Sequence, residues 1–162
     1  TVGIPLPGVE LRLTEAGEML VRGPNVFSGY WCRPEATAEA FDGGWFRAGD
    51  LGEIDDDGYV RLVGRAKELI ISGGYKVYPR EVEDVVREYG DVEDVAVVGT
   101  PDPEWGEVVT AFVVSRGDLD ERSLVAFVSE RLASYKRPRV VRFVDKLPRN
   151  ALGKVLKHEL RA

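Results

Sequence analysis

Three short stretches of this chain carry residue types that a scaffold alone does not require. In Trp45-Phe46-Arg47-Ala48-Gly49-Asp50 a carboxylate follows a glycine immediately before an alternating, strand-like run. Placed there, Asp50 is free to accept two hydrogen bonds from vicinal hydroxyls such as those of a ribose, although an aspartate opening a strand also serves as an ordinary turn or solubility device. In Gly64-Arg65-Ala66-Lys67-Glu68-Leu69-Ile70-Ile71-Ser72-Gly73-Gly74-Tyr75-Lys76 the paired glycines lie between short strands. They let the backbone adopt positive φ or pass close to a ligand, and Lys76 beside them can meet a phosphate. A plain hairpin turn needs the glycines but not the charges around them. In Leu147-Pro148-Arg149-Asn150-Ala151-Leu152-Gly153-Lys154 a lysine follows glycine on a loop that proline keeps out of the preceding strand. Its ammonium is therefore presented rather than packed, for a ligand or simply for water.

The elements that must hold these stretches can be read from periodicity. Val9, Leu11 and Leu13 alternate with polar residues, and so do 51–55 and 59–63 on either side of Asp56-Asp57-Gly58, which is hairpin patterning. With a short helix over 34–41, residues 1–65 make a small, mostly-β subdomain. Beyond Gly64 the apolar period changes. Val82, Val85, Val86 and Tyr89 fall at helical spacing, with Pro79 in the first turn and Gly90 suited to the C-terminal cap. Residues 95–99 and 108–114 are dense in β-branched side chains and read as strands. Asp120 caps a helix with Leu124, Phe127, Val128 and Leu132 on one face and Leu119 and Leu124 as a hydrophobic staple, and 140–144 gives a further strand. Residues 156–162 carry a terminal helix pattern. The expected class is α+β, with residues 66–162 forming a C-terminal domain that has a short antiparallel or mixed sheet flanked by helices.

Bulk composition narrows the chemistry. A chain of 162 residues, 44% hydrophobic, can bury a core. No apolar run approaches the roughly 20 residues needed to cross a bilayer, and no signal pattern opens the chain, so a cytoplasmic protein without membrane insertion is expected. The single cysteine, Cys32, and single histidine, His158, leave no Cys/His metal cluster and no nucleophile spaced for serine- or cysteine-type hydrolysis. Although the net charge is −6, ten basic residues from Arg131 onward stand against Asp145 and Glu159, a local charge of +8. An anionic partner fits that tail, as does a simple role in solubility. Nucleic acid is disfavoured because the whole chain is acidic and the tail interleaves few exposed aromatics.

Taken in this order and at these separations, the three stretches resemble the adenylate-forming superfamily of acyl-CoA synthetases, luciferases and peptide-synthetase adenylation domains. The resemblance covers essentially the whole chain, from Thr1-Val2-Gly3-Ile4-Pro5-Leu6-Pro7-Gly8 through Gly29-Tyr30-Trp31 to Lys154. Ser72-Gly73-Gly74-Tyr75-Lys76 and Tyr135-Lys136-Arg137-Pro138 are most similar to the acid-CoA ligases, including the fatty-acid and malonyl-CoA types. Ala48 stands where threonine is usual, and Trp105 where some relatives carry an arginine for CoA, so its indole is open to stacking on the CoA adenine or to packing as a partly buried aromatic.

The resemblance implies a carboxy-terminal portion that acts with ATP and CoA as substrates. It implies that Lys154 is catalytic, contacting the carboxylate and α-phosphate oxygens during adenylation. Asp50 and Arg65 would bind the nucleotide ribose, and Lys67 would be the hinge of the mobile domain. Gly73, Gly74, Tyr75 and Lys76 would line the CoA path. No phosphate loop with a lysine and no metal ligand set is present, so Mg2+, most of the ATP grip and the acid pocket are expected in an N-terminal domain outside this chain, and the chain alone is expected to be inactive. The rival expectation is a non-enzymatic module that binds an anionic ligand or partner through the basic tail.

Overall fold

The computed structural model describes residues 1–161. They fall into two compact units, Thr1–Lys67 and a second that begins at Glu68. Among the described residues no helix is long and apolar enough to cross a membrane.

The first unit is a five-stranded antiparallel sheet of β1 (Glu10–Leu13), β2 (Glu18–Arg22), β3 (Phe41–Asp42), β4 (Trp45–Ile54) and β5 (Val60–Arg65), with helix α1 (Pro34–Ala40). The order is β1-β2-β4-β3, and β5 also pairs with β4. Met19, Leu20, Leu51 and Val60 are buried and anchor β2, β4 and β5 to one another. The hairpin expected around Asp56-Asp57-Gly58 forms: Asp55 Oδ1 accepts the amides of Asp57 and Tyr59, and Gly58 takes φ +81°. That closure fixes the β4–β5 register, in which Ile54 faces Val60 and Asp50 faces Arg65. One expectation shifts. Asp50 lies inside the ten-residue β4 rather than ahead of a strand, because β4 gains pairing to β2 and β3 upstream of it.

The second unit holds β6 (Ile70–Ser72), β7 (Tyr75–Val77), α2 (Pro79–Arg87), β8 (Val92–Asp102), β9 (Gly106–Ser115), α3 (Glu121–Ser129) and β10 (Val140–Phe143). Its sheet is mixed: β10 runs parallel to β9, while β8, β6 and β7 pair antiparallel. The valine-rich β8 and β9 bury both faces, and the period-2 alternation of a strand sorts their side chains into two layers. Val95, Val97, Val109, Ala111 and Val113 meet Val82 and Val86 of α2 and Leu124 and Val128 of α3. On the other face, Ala96, Val98 and Phe112 meet Leu147, Val155 and Leu160 of the C-terminal tail. Burying Leu147, 5% exposed, is worth about 1.5–3 kcal/mol, so the tail is fastened to the sheet by apolar contact and not only by its charges.

The helix signals resolve as follows. α2 starts at Pro79 and α3 is capped by Asp120, whose Oδ2 accepts the Ser123 amide at 2.8 Å. The Ser123 hydroxyl and amide together hold the Asp120 carboxyl below its ordinary pKa. Leu119 packs on the same cluster as Leu124. α2 does not use Gly90 as its cap: the turn closes earlier, where Glu88 and Tyr89 donate to the carbonyls of Val85 and Val86, so no left-handed residue is needed. The terminal pattern yields only a 3-10 turn, Lys157–Leu160, because Leu156 is non-helical and its amide is spent on the Pro148 carbonyl. Ala162, the last residue of that pattern, lies outside the described residues.

Candidate functional site

In the first unit Asp50 and Arg65 are directly opposed across β4 and β5 and form an ion pair, with Arg65 Nε 2.9 Å from Asp50 Oδ1. The Asp50 side chain is 26% exposed, so a carboxylate oxygen remains within reach of a hydroxyl-bearing ligand while the guanidinium holds it in place. Ala48 lies in the same strand, partly buried. Lys67 is exposed in a single 3-10 turn, Ala66–Glu68, and is the last residue of the first unit.

In the second unit the paired glycines form the two-residue turn of the β6–β7 hairpin, with φ +55° at Gly73 and +83° at Gly74. Positive φ at both central residues matches the twist of the flanking strands. The two glycines differ in their surroundings. A Cβ on Gly73 would lie 2.5 Å from Cε3 of Trp105, whereas one on Gly74 would meet nothing within 4 Å. Gly73 is thus glycine for backbone and for space, Gly74 for backbone alone. Gly73→Ala is expected to destabilise the protein by about 1 kcal/mol or more beyond Gly74→Ala, the overpacking penalty on top of a shared backbone cost. Thermal unfolding of the two variants side by side checks this, and equal losses would show that the indole moves aside freely.

Trp105 has protein partners: Gly73 against its benzo ring and the Arg139 guanidinium 3.8 Å from a ring centroid. It is partly buried. Beyond the turn, Tyr75 is 55% exposed and stacks on Tyr135, with ring centroids 4.6 Å apart, and Lys76 is exposed. The hairpin is pinned from below by Glu107, whose carboxylate accepts the Ile71 amide at 3.0 Å. Sequence reading missed Tyr135 and Glu107 as neighbours of this turn, since nothing local links residues so far apart in the chain.

Lys154 closes a turn held almost entirely by its own backbone and by Asn150. Asn150 Oδ1 accepts the amides of Leu152 and Lys154 at 3.0 and 2.9 Å, and the Asn150 amide donates back to the Lys154 carbonyl at 2.9 Å. Leu152 at the tip is 93% exposed. Within this unit, among the described residues, no carboxylate pairs with the Lys154 ammonium, whereas much of the surrounding positive charge is spent internally. Lys136 pairs with Glu81, Arg149 with Asp94, and Lys157 with Glu68 and Glu83. Arg131, Arg139 and Arg142 lie over the rings of Phe127, Trp105 and Phe112. The tail is therefore far less of a free basic patch than its +8 suggests.

No group of three or more His, Cys, Asp or Glu side chains among the described residues is arranged to hold a metal ion. The residues present do not fit a bound Mg2+, and no step below is routed through one.

Comparison with known proteins places this geometry. Residues 81–154 match the AMP-binding enzyme C-terminal domain family. A 2-succinylbenzoate–CoA ligase from Geobacillus kaustophilus is 54% identical over 91% of the chain, which covers 30% of that protein. A long-chain-fatty-acid–CoA ligase from Escherichia coli is 42% identical over 99% of the chain, covering 31% of that protein. The crystal structure of ATP-bound MatB from Rhodopseudomonas palustris superposes with a TM-score of 0.89 at 44% identity, over 98% of this chain and 34% of that one. The chain thus spans about a third of the length of the relatives it matches. On these grounds residues 81–154 match the AMP-binding enzyme C-terminal domain, and the chain as a whole is similar to about a third of the length of acyl-CoA ligases.

Proposed function

We propose that this chain is the carboxy-terminal part of an ATP-dependent acid–CoA ligase that works in two half-reactions. In the first, a carboxylate oxygen attacks the α-phosphorus of ATP, pyrophosphate leaves, and an acyl-adenylate forms. In the second, the thiolate of CoA attacks the acyl carbon and AMP leaves. The observation that carries this reading is Lys154: an ammonium without an ion-pair partner among the described residues of its unit, on a backbone-locked turn in the domain that the family match covers. Such a charge, fixed in a closing and water-poor site, stabilises the negative charge that builds on the phosphoryl oxygens in the transition state.

The other residues take roles around it. Asp50, oriented by Arg65, accepts hydrogen bonds from the ribose hydroxyls of ATP and of the adenylate. Lys67 is the hinge about which residues 66–162 turn as a mobile domain, while residues 1–65 belong to a large N-terminal adenylation domain. The change from compact first unit to compact second unit after Lys67 supports that assignment. After the turn Lys154 withdraws, and Gly73, Gly74, Tyr75 and Lys76 line the entry of the CoA arm, where the open space beside Gly74 leaves a narrow chain room to pass. Mg2+, the phosphate grip and the acid-selecting pocket reside mainly in the N-terminal domain, and the enzyme is cytoplasmic.

The test uses the full-length protein with ATP, CoA and malonate, 2-succinylbenzoate or palmitate as probe acids, and reads acid-dependent AMP release. Release that requires both ATP and CoA with at least one carboxylic acid supports the reading, and none with any acid in a wider screen overturns it. The 162-residue chain by itself is expected to release no AMP, since it spans only about a third of its relatives. Robust acid-dependent turnover by the isolated chain would contradict that.

A further inference from the structure

Lys154 can act only if its turn holds one bearing on the domain beneath it, and we propose that Arg149 is the positioning residue that sets that bearing. The proposal rests on the role given to Lys154 above. Arg149 pairs with Val155 in an isolated antiparallel bridge, so the two residues flank the turn that ends at Lys154. The bonds inside the turn are all local: Asn150 Oδ1 with the amides of Leu152 and Lys154, and the Gly153 amide with the Asn150 carbonyl at 2.9 Å. Local bonds fix the shape of a turn. They do not fix where it points relative to the sheet.

The Arg149 guanidinium supplies that second constraint. Its Nη1 donates to the Gly153 carbonyl at 2.5 Å, in the peptide unit that leads directly into Lys154. Its Nη2 donates to Asp94 Oδ2 on β8. Asp94 is itself immobilised, because its Oδ1 accepts the Val95 amide at 2.9 Å where the β8–β9 register shifts. A continuous relay therefore runs from the most buried strand pair of the unit, through one carboxylate and one planar fork, to the carbonyl beside Lys154. Only arginine has two donors set rigidly enough to hold both acceptors at once. Gly153 takes φ +79°, the left-handed conformation in which its carbonyl meets Arg149. The pair is partly solvated, at 44% and 27% side-chain exposure, so it contributes little to global stability. Positioning and folding are thus separable by experiment.

The test compares Arg149→Lys, Asp94→Asn and Lys154→Met in the full-length protein, using whichever of malonate, 2-succinylbenzoate and palmitate turns over fastest in the wild type. Adenylation is read as acid-dependent exchange of labelled pyrophosphate into ATP. Thioester formation is read from the synthetic acyl-adenylate of the same acid with CoA. Because a misplacement of ~1 Å costs on the order of 10²-fold, Arg149→Lys and Asp94→Asn are each expected to lower the kcat of exchange by roughly 10- to 100-fold. The KM for ATP, the thioester rate and the thermal midpoint should stay near wild type. Unchanged exchange overturns the proposal, and so does a parallel fall in both half-reactions or in the thermal midpoint, which would make Arg149 a merely structural residue. If Lys154→Met is inactive in exchange while Arg149→Lys is normal, only this proposal fails. If Lys154→Met exchanges normally, the role of Lys154 fails and this proposal falls with it.

Discussion

In the full-length protein, Lys154→Met is expected to cut acyl-adenylate formation by on the order of 10²- to 10³-fold or more, while thioester formation from supplied adenylate keeps its rate. The magnitude follows from removing one preorganised charge aimed at a developing oxyanion, about 3–4 kcal/mol of transition-state stabilisation. Methionine preserves most of the length and apolar volume of the side chain. Lys154 is exposed and its backbone amide, not its ammonium, makes the contact to Asn150. The protein should therefore fold normally, and the loss should appear in kcat for the first half-reaction rather than in stability. The asymmetry between half-reactions is what distinguishes this role from a general contribution of the tail's charge. A methionine variant that activates its acid at the wild-type rate would end the reading. So would one that loses both half-reactions equally, since a lysine that withdraws before the thiol enters has no second task.

Lys157→Met, three residues further on, should fail in the opposite way, by losing stability. The Lys157 side chain is 17% exposed, and its Nζ lies 2.8 Å from Glu68 Oε2 and 2.8 Å from Glu83 Oε1. Glu83 is 7% exposed overall, in the middle of α2, and its Oε1 also accepts the Val97 amide of β8 at 2.8 Å. Removing the ammonium leaves two carboxylates facing each other in a poorly solvated place, with Arg87 at 3.7 Å as the remaining cation near Glu83. Breaking a buried ion pair from one side costs about 3–5 kcal/mol, and Arg87 argues for the lower end. For a unit of this size about 3 kcal/mol corresponds to a fall in thermal midpoint on the order of 10–20 °C. Lys157→Arg should retain most of the stability. Lys146→Met, at an exposed position, should shift it by no more than about 0.5 kcal/mol. Thermal unfolding of the three variants decides the matter. Equal midpoints for Lys157→Met and Lys146→Met would mean the network contributes nothing.

Much of the fold is legible in the sequence alone. The period of Val82, Val85 and Val86 sets α2, Asp120 sets the start of α3, and Asp56-Asp57-Gly58 sets the β4–β5 hairpin, because each of these signals acts within a few residues of itself. The Gly73-Gly74 turn was legible for the same reason: two adjacent residues that tolerate positive φ specify the connection alone. Local signals also misled where they lacked competition from the rest of the chain. The pattern at 156–162 has a helical apolar period, yet Leu156 gives its amide to Pro148 and Leu160 packs on the sheet, leaving one 3-10 turn among the described residues.

By itself, then, the sequence determined the local elements, the α+β class and the three stretches worth suspecting, since turn, cap and periodicity rules read neighbours along the chain. The tertiary structure alone decided which charges are spent and which remain available. Lys154 and Lys157 look alike in a basic tail, but Lys157 closes an ion-pair network with residues 74 and 89 positions away, while Lys154 stands on a turn aimed outward. Arg149 looks like one more solubilising charge until β8 brings Asp94 beneath it, and Gly73 looks interchangeable with Gly74 until Trp105 arrives from the β8–β9 connection. The physical reason is the same in each case. A side chain's charge or volume acquires a role from what lies within a few ångströms of it, and at these positions the deciding neighbours are supplied by chain segments too far away for any local pattern to reveal.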